Sequence, residues 1–193
     1  MSEMEEKAKM ILEHELWFAD SLALKILERP TLSVWMILIP VVFIYYFYRY
    51  KKFAEGKRDF AGNYMISRRQ ALAKAVEFVN GDNKADVSGI PANIGLDGDT
   101  KSCYAELLFL LYDHYIRLLK SSGATYRDLV KGAYGSSGEF TIFLNKLTGI
   151  EGRLNDSFRQ SDPSDDYSAV ISSIMEYSKM IRRTTIEKIY PAV

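Results

Sequence analysis

Apolar positions recur at helical spacing through most of the chain, and one uncharged run interrupts the pattern. From Met4 to Glu28 the stripe runs Met4, Ala8, Ile11, Leu12, Leu16, Ala19, Leu22, Ala23, Ile26 and Leu27, one broad face of an amphipathic helix. Ser2 with Glu5 forms a capping box at its start, and Arg29-Pro30 closes it, because a residue before proline is pushed out of helical geometry. The polar face is acidic. That disfavours adhesion to an anionic lipid surface and favours packing on a partner.

From Leu32 to Tyr48 the chain reads LSVWMILIPVVFIYYFY without a charge. As a helix this run is roughly 26 Å long, close to the minimum for a bilayer core. Its Leu, Ile, Val and Phe residues contribute an insertion term near −4 kcal/mol, an order-of-magnitude sum before Pro40 and Ser33 are counted against it. Trp35 at one end, and Tyr45, Tyr46 and Tyr48 followed by Arg49, Lys51 and Lys52 at the other, suit a membrane interface. The pattern predicts one transmembrane helix over 31–50. Basic residues crowd its C-terminal flank, so the N-terminus is expected outside and the rest of the chain in the cytoplasm, at the inner membrane in a bacterial host. Pro40 leaves an alternative in which the segment turns back as a re-entrant hairpin. With a single crossing, the N-terminal stripe has no partner within the chain.

Residues 51–79 predict a basic juxtamembrane helix, with Lys51, Lys52, Lys57, Arg58, Arg68 and Arg69 within reach of lipid headgroups. Residues 80–100 lose all helical period to Gly, Asn, Asp and Pro and predict a loop. Over 101–193 four helices follow: Lys101–Lys120, apolar around most of its girth and therefore central; Tyr126–Tyr134, capped by Thr125 and Asp128; Glu139 to about Leu154, capped by Ser136 and weakened at Gly149 and Gly152; and one from Asp162-Pro163 to about Ile189. The fold class is all-α: an amphipathic helix, a transmembrane helix, then an irregular cytoplasmic helical bundle.

Composition adds little to this picture. Lysine plus arginine equals aspartate plus glutamate, 25 each, so no general electrostatic attraction to nucleic acid arises. Cys103 is the only cysteine, which excludes an intramolecular disulfide and every cysteine-based zinc pattern. Asp97-Gly98-Asp99 departs from a calcium loop, since Lys101 and Ser102 stand where Asp or Asn and then Gly are needed. Gly135-Ser136-Ser137-Gly138 is a capping turn, without the strand or spacing of a nucleophile elbow. His14 and His114 are the only histidines, expected on opposite sides of the membrane, which removes a His-rich metal site. Asp113 and His114, inside the central helix, form a speculative polar site. No catalytic residue, metal or cofactor is predicted.

The functional expectation is a membrane-anchored scaffold, adaptor or accessory subunit acting by protein–protein contacts, with membrane lipid and protein partners or a second copy as its company. The alternative is a membrane-bound enzyme or ligand sensor, with a site near Asp113, His114 and the 80–100 loop.

Overall fold

A computed structural model describes residues 2–26, 58, 61–62, 64–81, 98–161 and 165–191. Among these residues there are six helices and no strand. They are α1 (Glu3–Ile26), α2 (64–79), α3 (Gly98–Lys120), α4 (Tyr126–Tyr134), α5 (Ser137–Ser161) and α6 (Asp165–Ile189).

Local chemistry sets several helix ends. Ser2 and Glu5 cap α1 reciprocally, the Ser2 amide donating to Glu5 Oε2 (2.7 Å) and the Glu5 amide to Ser2 Oγ (3.2 Å). Thr125 and Asp128 do the same for α4, and the Glu139 amide donates to Ser136 Oγ at the start of α5 (3.2 Å). Each cap satisfies amides that a helix leaves without carbonyl partners. Gly135 ends α4 at φ 66°, a left-handed conformation open to glycine at no Cβ cost.

The central helix is α3. Leu107, Leu108, Leu111, His114, Tyr115, Leu118 and Leu119 are buried along it, a stripe wide enough to touch α1, α4 and α5. Around it one core joins Ile11 of α1, Ala71, Leu72 and Ala75 of α2, Leu129 and Val130 of α4, Phe140 and Leu144 of α5 and Ile189 of α6. Burial on this scale is the main stabilising term of the bundle.

The N-terminal helix departs most from expectation. Its stripe does have a partner within the chain: α1 packs on α3, α4 and α6, with Ile11, Ala19 and Ala23 fully buried and Leu22 nearly so. Lys7 reaches across to donate to the Leu119 carbonyl (3.3 Å). Helix α2 lies antiparallel beside it. Phe18 meets Tyr64 ring to ring at 5.6 Å and Glu15 approaches Arg68, so moving back along α1 goes with moving forward along α2. Continuing that direction, Asp20 and Arg58 line one surface cleft.

Two boundaries also differ from the sequence reading. Residues 98–100, assigned to the loop, already form the first turn of α3. Helix α5 runs unbroken through Gly149 and Gly152 to Ser161. A Cβ at Gly152 would meet Met175 Cε at 3.3 Å, so packing against α6 outweighs the low helical propensity of glycine. The expected transmembrane helix, and its interfacial residues Trp35, Tyr45, Tyr46, Tyr48, Arg49, Lys51 and Lys52, lie outside the described residues. Among those described, no helix is long and apolar enough to cross a membrane.

Candidate functional site

Five helices bring charged and hydroxylated side chains together inside the bundle. Arg68 of α2 and Arg182 of α6 are 4% and 5% exposed, which is rare for arginine unless it is paired. Both bind Glu151 of α5: Arg68 Nη2 donates to Oε1 and Arg182 Nη2 to Oε2, each at 2.6 Å. Arg182 Nη1 also donates to Thr148 Oγ1 (2.5 Å) and Arg68 Nη1 to Ser67 Oγ (2.9 Å). Glu15 of α1 accepts from the Tyr115 hydroxyl of α3 (2.8 Å) and stands 3.8 Å from Arg68 Nε. Aromatic faces complete the enclosure, with Arg68 over the Tyr64 ring at 3.7 Å and Arg182 over Phe18 at 5.3 Å.

The two carboxyls are driven in opposite directions. Burial pushes Glu15 above the usual carboxylate range, and the nearby Arg68 and the Tyr115 hydrogen bond offset only part of that push. Burial also acts upward on Glu151, but Arg182 and Arg68 together outweigh it and hold the group below its ordinary value. Arg68 itself stays charged: Tyr64, Glu151 and Glu15 overcome the cost of its desolvation. Glu151 is thus the fixed anion of the cluster and Glu15 the adjustable one.

Next to the cluster, His14 and His114 line the same small cavity of about 30 Å3, together with Glu15 and Arg182. This corrects the expectation that the histidines lie apart, and follows from α1 docking on the bundle. His14 stacks on Tyr126 (centroids 3.7 Å). His114 stacks on Phe143 (4.1 Å) and shares a 2.6 Å hydrogen bond between Nδ1 and the Tyr134 hydroxyl. Burial lowers the histidine pKa values to about 4 for His14 and about 3 for His114, where His14 and Arg117 add to the effect. Both rings are neutral near pH 7. The cavity has room for about one water, and among the described residues no three His, Cys, Asp or Glu side chains converge as metal ligands.

Asp113 and His114 do not form one site. A helix turns by about 100° per residue, and Asp113 faces outward, paired with Arg117 at 3.0 Å, while His114 points into the core. Asp113 instead lines a groove of about 770 Å3 between α3 and α5, beside Phe109 and Lys146. The sequence reading missed Glu15, Tyr115, Glu151 and Arg182 and placed Arg68 in the basic flank that follows the apolar segment. A usable signal was present: Arg68 lies within the stripe Met65, Leu72 and Ala75, and Arg182 follows Ile181 on the inward face of α6. The chain matches no known protein family, no curated protein and no solved structure.

Proposed function

We propose that this protein is a membrane-attached adaptor or accessory subunit that acts through protein–protein contacts, with its whole helical body on one side of the bilayer. The observation carrying this reading is the docking of α1: Ile11 sits in the same core as Leu111 and Phe140. A single crossing between α1 and α2 would leave α1 and its packing partners on opposite sides of a membrane. On this reading the apolar segment returns to the side it left. At seventeen residues it is too short to cross twice, since each helical crossing takes about 20 residues. Entry into one leaflet and return near Pro40 meets both conditions. The basic flank, Arg49, Lys51 and Lys52, favours the cytoplasmic face.

Action by contact rather than by catalysis is supported by the state of the polar groups. Glu151 is engaged by two guanidiniums, His114 is enclosed by Phe143 and Tyr134, and the cavity beside them holds about one water. Meanwhile Phe109 (57%) and Ile142 (51%) are exposed on α3 and α5.

Labelling with a membrane-impermeant maleimide tests the topology. In a Cys103→Ser background, Ser2→Cys and Ser136→Cys should both react only after the cells are permeabilised. Labelling of Ser2→Cys alone in intact cells would restore the single crossing. Affinity purification from native membranes in mild detergent tests the role. A partner or second copy should co-purify in stoichiometric amount, and a stable lone monomer would overturn the adaptor reading.

A further inference from the structure

The groove between α3 and α5, about 770 Å3 in volume, has its charges sorted by helix. Glu106 and Asp113 line it from α3, Lys146 and Arg153 from α5. Each pair is seven residues apart, two turns along one face of its helix. The helices run antiparallel, since Glu106 pairs with Arg153 at 2.6 Å and His114 stacks on Phe143 further along. The four charges therefore mark the corners of a rectangle, acidic on one long edge and basic on the other. Midway along the acidic edge stands Phe109, which is exposed. Midway along the basic edge lies Gly149, where an added Cβ would meet nothing within 4 Å. One edge carries a knob and the other a hole.

We propose that this face is the interface of a two-fold dimer, its occupant a second copy of the chain, with Phe109 of each copy seated over Gly149 of the other. A two-fold axis parallel to the helices lays α3 of one chain on α5 of its partner at the same height. Glu106 then meets Arg153 and Asp113 meets Lys146 across the interface, and each knob faces a hole. An axis across the helices would instead stack acid on acid and base on base, so the charges select the first arrangement. The same patch serves both chains, as an isologous contact requires. Two acids and two bases leave the lining neutral, which gives a strongly charged partner no advantage over a second copy. Glu106 and Arg153, paired within each chain, are both half-exposed. A guanidinium has five donors and a carboxylate about four acceptor sites, so two such pairs can close into one alternating square. An aromatic centre within a charged rim is common anatomy for a protein interface. The dimer names one partner for the contact reading above and rests on that reading.

Sedimentation equilibrium of the full chain in density-matched detergent provides the test. The expected result is reversible dimerisation of the native chain. Phe109→Ala, which removes the knob, and Gly149→Trp, which fills the hole, should each weaken it roughly tenfold or more. Charge reversal supplies the selective arm. Lys146→Glu with Arg153→Glu makes both edges acidic, and Glu106→Lys with Asp113→Lys makes both basic. Each double variant should be monomeric alone, and an equal mixture should form a heterodimer. Tight self-association of either folded double variant would overturn the proposal, and so would a mixture that fails to pair. A native chain that stays monomeric, yet still carries a different protein out of native membranes, would sink the dimer and leave the adaptor reading standing.

Discussion

Tyr115 donates its hydroxyl to Glu15 across 2.8 Å, tying the central helix to the N-terminal one over a hundred residues of chain. Both groups are sheltered from water, so the bond is not exchanged cheaply for a solvent contact. Tyr115→Phe should lower stability by about 1–3 kcal/mol, the range for a buried group left without its partner. Urea denaturation measures the loss, and amide exchange should quicken first in α1.

Glu151 is the hinge of the charge cluster. Glu151→Leu leaves Arg68 and Arg182 buried without their anion and should cost about 3–5 kcal/mol. Replacing Glu151 and Arg182 together by apolar residues should cost less than the two single losses added. A double-mutant cycle in urea reads this directly, and strict additivity would deny the coupling.

Acid should weaken the fold through both histidines. Their folded pKa values, about 4 and about 3, lie below the unfolded value near 6.5, so the unfolded chain takes up protons first. Stability is therefore intact above about pH 6.5 and falls as pH drops towards the folded values. Glu151, lowered in the folded state, adds to the loss at lower pH as it is protonated. Glu15 has the opposite sign: its raised pKa favours the folded state in acid and the benefit is lost as pH rises. The urea midpoint should fall between pH 7.5 and 5, and His114→Leu, though less stable throughout, should show a shallower fall.

Docking of α1 makes it part of the body. Ile11 is fully buried, and Ile11→Ala should cost about 2–5 kcal/mol, as for other large-to-small core changes. A chain lacking residues 1–26 should lose cooperative thermal unfolding. If the remainder melted unchanged, α1 would be an appendage and the one-sided topology would lose its support.

What the sequence disclosed was local. The stripe of α1, the caps at Ser2, Thr125 and Ser136, and the central place of α3 depend on neighbours within a few positions, and they recur in the structure. The charge cluster depends on positions 15, 68, 115, 151 and 182, whose meeting is fixed by how helices stack. Glu15 and Glu151 read singly as ordinary solvated residues, and only Arg68 and Arg182 betray themselves, by falling on apolar stripes. Asp113 shows the reverse error: beside His114 in sequence, it points the other way in space. The partner of α1 was hidden for a different reason, because a membrane crossing inserted between α1 and the bundle forbade the contact that the structure contains.

The contact between α1 and α6 also imposes an order on synthesis. Helix α1 leaves the ribosome well before its partner around Ile181, roughly 10–30 s earlier at ordinary elongation rates. During that interval Ile11 can already close on α2, α3 and α4 and Phe18 on Tyr64, while the side of α1 around Leu22 still lacks Ile181. The side of α1 that meets α6 therefore stays uncovered until the residues around Ile181 have been made. Leu22 and its neighbours on that side are thus the part of α1 whose burial waits longest.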